Sequence, residues 1–211
     1  RNDFEWMEYW LWENEEERTA AVYYDAKDIP QGFLLYWVEE DVFHIREMVY
    51  LTQEARKGLW NFIRAHYSMI DAVKGHIYTG EPLAFLLDES QIQETIEPYF
   101  MARIVDVAQF LRLYPFEGSI RPFHFVVTDP MAEWNNGIFS VATDREGTVS
   151  VTDEPAGKAV ELDIQTLSAM LMGYKRPSYL ARIERLHTDK RTLRLLEEII
   201  PDGQPYFSDY F

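Results

Sequence analysis

The 211 residues carry 36 acidic and 20 basic side chains, a formal charge of −16. Such a surface repels phosphate backbones, which argues against nucleic acid as a general partner; it either attracts cations such as polyamines or aminated sugars or serves only to keep the protein soluble. With 47% hydrophobic and 15% aromatic residues the chain can fill real cores, and with no cysteine it has neither disulfides nor thiolate metal sites. No apolar run is long enough to span a bilayer and no signal peptide is evident, so the expected location is cytoplasmic.

Residues 4–12 (FEWMEYWLW) have apolar side chains at helical spacing on more than one stripe, which predicts a buried or interfacial helix. The chain opens at Arg1, inside that pattern, and is expected to continue a longer protein. Ala21–Tyr24, Gly32–Val38 and Val42–Leu51 read as strands, with Glu39-Glu40-Asp41 as a tight hairpin. Thr52 stands at an N-cap position, ahead of a helix to about Met69 marked by Leu59, Phe62, Ile63 and His66. A strand near Val73–Tyr78, a helical segment at Pro82–Asp88 and a strand near Tyr99–Val107 complete a mixed α/β unit.

Composition shifts after Tyr114-Pro115. Ile120–Val127 reads as a continuous apolar strand, and Asn135-Asn136-Gly137 is a turn with φ > 0 chemistry. Ile138–Ala142 and Val149–Val151 pair across an Asp144–Gly147 turn. Val160–Ile164 follows, then a helix at Gln165–Met172 stopped by Gly173, a helix opening at Pro177-Ser178, and a last one capped by Asp189. Strands followed by helices are the α+β pattern, so the expected domains are 1–107 and 108–211.

Nucleotide, P-loop, nucleophile-elbow and zincin motifs are absent. His44, His66, His76, His124 and His187 are scattered, and His44 and Glu47 are expected on opposite strand faces, which disfavours a shared metal. The informative feature is the strand-to-helix junction at Leu51–Thr52, because a helix N-terminus attracts phosphate.

GNAT acetyltransferases place an Arg/Gln-x-x-Gly-x-Gly/Ala loop at such a junction. Here the stretch is Thr52-Gln53-Glu54-Ala55-Arg56-Lys57-Gly58-Leu59-Trp60, with one glycine kept, one lost and Glu54 adding negative charge. Val42–Ile63 (VFHIREMVYLTQEARKGLWNFI) resembles the central, degenerate GNAT domain of the Eis (enhanced intracellular survival) family. Val127–Val141 (VTDPMAEWNNGIFSV), Leu162–Tyr179 (LDIQTLSAMLMGYKRPSY) and the aromatic end Pro205–Phe211 (PYFSDYF) resemble its sterol-carrier-protein-like C-terminal domain. The fold the resemblance implies is α/β plus α+β: a GNAT-like mixed sheet, then a sterol-carrier-protein-2-like domain.

The resemblance further implies an N-acetyltransferase acting on primary amines of aminoglycosides, polyamines or lysine. Acetyl-CoA would be bound by a first GNAT domain preceding Arg1 and not by this chain, and the full-length protein would be a homo-oligomer. The α-carboxylate of Phe211 would act as base, ionised at pH 7 from an ordinary pKa of about 3.5. Asp209 and Tyr210 would bind the cationic substrate, and Trp6, the one match to a family Trp pair, would line its cleft. A second reading is a lipid- or acyl-chain-binding module with a tunnel lined by Phe123, Phe125, Met170 and Leu171. A third is an assembly platform.

Overall fold

The computed structural model describes residues 19–77, 81, 83–87, 91–97, 99–118, 120–143, 148–205 and 207. The expected helix over residues 4–12 and the Asp144–Gly147 turn lie outside them. The chain forms two compact units, residues 1–81 and 82–211. No helix among the described residues is long and apolar enough to cross a membrane.

In the first unit β1 (Thr19–Tyr24), β2 (Pro30–Glu39), β3 (Val42–Tyr50) and β4 (Ala72–Gly75) make one sheet in chain order, with only β3 and β4 parallel. Glu40 and Asp41 both take positive φ (47° and 60°) between β2 and β3, the two-residue primed turn that matches strand twist. α1 (Gln53–Arg64) covers one face, burying Leu59 and Ile63 against Leu34, Phe43 and Ile45. It stops short of Met69; His66 follows it and packs edge-on against Tyr36, Phe43 and Phe62.

A β-bulge changes the face assignment within β3. Leu35 pairs with Glu47 but Tyr36 pairs with Ile45, so Arg46 is the extra residue. His44 and Glu47 therefore share the face of Trp37 and Leu35, contrary to the strict alternation expected. His44 stacks on Trp37 (ring centroids 4.7 Å). No group of three or more candidate metal ligands occurs among the described residues. The bulge also turns Met48 and Tyr50 toward α1, where a regular strand would have placed Glu47 and Val49.

The second unit begins with a single-turn helix α2 (Leu83–Leu86). The expected strand near Tyr99–Val107 does not form. Its C-terminal end instead starts α3 (Val107–Leu113), because the Asp106 side chain accepts from the Gln109 N–H and caps it. Val107 and Leu111, one helical turn apart, are buried. β5 (Phe123–Thr128), β6 (Gly137–Thr143), β7 (Val149–Thr152), β8 (Lys158–Asp163) and β9 (Leu186–His187) form a sheet of order β7-β6-β5-β8-β9, with β5 and β8 parallel. In the turn before β6 a 3₁₀ segment (Glu133–Asn135) precedes Gly137, and Gly137 supplies the positive φ.

α4 (Ile164–Leu171), α5 (Pro177–Arg182) and α6 (Lys190–Ile199) follow. Asp163 caps α4 through Thr166 N, and Asp189 caps α6 through Arg191 N and Thr192 N. Phe123, Phe125, Val127, Val160 and Leu162 alternate onto the helix side and meet Ile164, Leu167, Met170, Leu171 and Leu196 in one core.

Candidate functional site

The junction singled out in the sequence lies where β3 passes into α1. β3 and β4 pair only over Val42–Ile45 and Ala72–Gly75. β3 runs on to Tyr50 while the other strand ends at Gly75, so the two parallel strands part ahead of the helix. The Tyr50 hydroxyl donates to Glu81 Oε1 at 2.7 Å. That carboxylate, and then burial, push the Tyr50 hydroxyl pKa up, while Arg56 pulls it down.

The α1 N-terminus is already furnished. Thr52 Oγ1 accepts from Ala55 N at 3.1 Å, and the Thr52 carbonyl accepts from Arg56 N. Glu54 places a carboxylate in the first turn, where the helix dipole favours negative charge. Tyr23, from β1, donates its hydroxyl to that carboxylate at 3.1 Å, and burial followed by the Glu54 charge raises the Tyr23 pKa. The Tyr23 ring lies directly over Gly58, so that a Cβ there would overlap it. The surviving glycine thus admits an aromatic ring of the protein itself. Arg56 occupies the position of the lost glycine and is buried, with its Nε among the buried atoms that have no hydrogen-bond partner.

A coenzyme A pyrophosphate needs free N–H groups and close backbone approach at this turn. Thr52 takes the Ala55 N–H, the Tyr23 ring covers Gly58 and Glu54 adds a carboxylate in the first turn, so the residues at this junction do not offer the close glycine approach that group needs.

In the second unit the structure assembles a polar hub that no sequence pattern announced. Asp129, 1% exposed, receives Arg103 Nη2 at 2.6 Å on both oxygens, Asn135 Nδ2 at 2.9 Å, and the N–H groups of Met131 and Ala132. Burial alone would raise its pKa; the bonds from Asn135, Arg103, Met131 and Ala132 outweigh it and hold the carboxyl at about 2. Asn135 Oδ1 accepts from Val107 N, and Trp134 Nε1 donates to Val105 O. Ile104 N donates to Ser168 Oγ. The hub fastens residues 103–107 to the sheet unit, a structural role. Of its residues, the sequence singles out only Asn135, as part of the Asn135-Asn136-Gly137 turn.

The four tunnel-lining candidates are all in the second core: Phe123 and Phe125 touch edge to face (5.1 Å), and Met170 and Leu171 pack beneath them. Two hollows of this unit, about 440 and 350 Å³, are surface grooves beside α3 and β9 and are lined by none of the four. Phe211, Asp209, Tyr210 and Trp6 lie outside the described residues. Phe207 is within them, its ring 5.4 Å from that of Phe100.

Comparison with known proteins agrees with this fold. Residues 1–104 match the profile of an acetyltransferase (GNAT) domain, and residues 107–208 that of a sterol carrier protein domain. No curated protein matches the chain. A conserved protein of unknown function from Enterococcus faecalis V583, described as a probable N-acyltransferase, is similar over the whole chain with 30% identity and a TM-score of 0.89; 54% of that protein is covered. A GCN5-related N-acetyltransferase from Anabaena variabilis ATCC 29413 is similar over 91% of the chain, with 26% identity, a TM-score of 0.77 and 50% of its own length covered. At 18% identity, Eis1 from Mycobacterium abscessus shares the fold over 98% of the chain, with a TM-score of 0.72 and 54% of its length covered. The chain spans about half the length of these structures. Its domain composition is accordingly a GNAT acetyltransferase domain followed by a sterol carrier protein domain.

Proposed function

We propose that this chain is the acceptor-side part of an Eis-like, acetyl-CoA-dependent N-acetyltransferase that acylates primary amines, such as those of aminoglycosides, polyamines or lysine side chains. In this reading the cofactor is held by a further GNAT domain of a longer protein, and the protein assembles as a homo-oligomer. The Phe211 α-carboxylate takes the proton of the attacking amine. Asp209 and Tyr210 hold the cationic acceptor, and Trp6 lines its cleft.

The observation that carries the reading is the α1 N-terminus, a strand-to-helix junction where Tyr23 covers Gly58, Glu54 stands in the first turn and Arg56 replaces a loop glycine. A domain that keeps this layout without room for the cofactor is suited to shaping a neighbouring site. The net charge of −16 fits a cationic acceptor. The lipid-carrier alternative loses support from the second core, where its four lining residues pack against one another and their neighbours.

Calorimetric titration of the chain with acetyl-CoA, at about 0.1 mM protein so that weak binding registers, tests the reading. The expected outcome is no heat beyond dilution, with amine acetylation confined to the longer protein. One-to-one binding by this chain would overturn the assignment of the cofactor to another domain.

A further inference from the structure

α6 ends at Ile199, yet the chain after it stays fastened to the second unit at three successive places. The first is Arg176, which precedes α5. Its Nη1 donates to the carbonyls of Ile200 (3.0 Å) and Pro201 (3.1 Å), its Nη2 to the carbonyl of Glu197 (2.7 Å), and its Nε to Glu197 Oε2 (2.9 Å). The planar guanidinium fork suits this divergent set of acceptors, which a lysine could not span. Glu197 Oε1 accepts from Ser178 N at 2.7 Å, so the acceptor is itself fixed. Arg176 Nη1 also lies 4.0 Å from Asp202, tempering the repulsion of an acidic segment by an acidic protein.

The second place is Gly173, the residue that ends α4 with φ +77°. The Gly203 carbonyl lies so close to it that any Cβ would overlap this backbone oxygen. Positive φ and close approach together demand glycine at this position. The third is the contact of the Phe207 ring with Phe100, 5.4 Å between centroids. A terminal segment left to itself frays; this one is held by a cation, a backbone approach and an aromatic pair.

We infer that Arg176, Gly173 and Phe100 form a clamp that fixes the course of the segment from Ile200 to Phe207 and so acts on the function proposed for Phe211. This rests on the reading of Phe211 as the base, and makes the three positioning residues for it. A base carried on a chain end works only if that end returns to one place each turnover, since misplacement of about 1 Å costs up to about 100-fold in rate.

The chain has no cysteine, so a nitroxide on Gln204→Cys reports this segment alone. The clamp predicts an immobilised spectrum in the parent. In Arg176→Ala and in Phe100→Ala the label should become several-fold more mobile. Because Phe100 is partly exposed, the Phe100→Ala melting temperature should stay at the parent value. A label already mobile in the parent, or unmoved in both variants, would overturn the clamp.

In the longer protein that carries this chain, Phe100→Ala should lower kcat for amine acetylation about tenfold or more, with KM for acetyl-CoA unchanged. An unchanged kcat despite a mobilised label would overturn the positioning role. Deleting Phe211 separates the two ideas. Unaltered turnover with an immobile label sinks the base and leaves the clamp, whereas lost turnover with a label mobile in the parent does the reverse.

Discussion

The two units finish their polar interiors differently. Among the described residues, the three buried side-chain atoms without a hydrogen-bond partner, Trp37 Nε1, Arg56 Nε and Trp60 Nε1, all belong to the first unit. In the second, the buried polar side chains of Asp129, Asn135, Ser140, Thr166, Ser168 and Thr192 are all bonded. Each unanswered buried donor costs about 1–3 kcal/mol, a cost that none of these six side chains of the second unit carries. The second unit thus has the more completely bonded polar interior, while the first leaves buried donors of Trp37, Arg56 and Trp60 unanswered.

The closed polar interior of the second unit is most vulnerable at Asp129. Asp129→Ala leaves Arg103 without its carboxylate and Asn135 with only the Val105 carbonyl, and should lower the melting temperature of the second unit by about 10 °C or more, with the first unit's transition unmoved in calorimetry. If both transitions fall together, the two halves are not independent in stability. The same group gives a pH signature. Its folded pKa, about 2, lies below the ordinary carboxylate value, so its stabilisation is complete above about pH 4 and is lost as pH falls toward 2. Melting curves of Asp129→Asn should be flatter across that interval than those of the parent.

Gly173→Ala comes next. The added methyl meets a backbone carbonyl, which cannot swing aside, at a residue that needs positive φ, so thermal unfolding should show a loss of about 1–3 kcal/mol. Thr52→Ala removes the cap on Ala55 N and should cost the first unit about 1 kcal/mol by denaturant titration. Gly58→Ala should have the smallest effect. Its methyl meets the side chain of Tyr23, which can rotate, and the better helix propensity of alanine returns about 1 kcal/mol. A loss as large as that of Gly173→Ala would mean that Tyr23 is held as firmly as backbone.

Much of this architecture was legible in local sequence. β-branched and aromatic runs marked β1 to β3 and β5 to β8. The N-caps Thr52 and Asp189 and the stop at Gly173 stood where helix chemistry requires them. The loss of a loop glycine beside Glu54 is likewise visible in the sequence. The miss at Tyr99–Val107 came from reading Ile104, Val105 and Val107 as strand; the Asp106 cap and the Val107/Leu111 spacing were the signals for α3.

Strand and helix period, caps, turns and net charge are legible in the sequence because each depends on neighbours a few residues apart. The tertiary structure alone decided three other things. The bulge at Arg46 chose which side of the sheet receives Tyr50. Tyr23 reached across the sheet to cover Gly58. Arg103, Asp129 and Ser168 met from distant segments to bind residues 103–107, as Arg176 met the chain end. Such contacts leave no period in the sequence, because a hydrogen bond between distant residues is set by how elements pack and not by the order in which the chain is written.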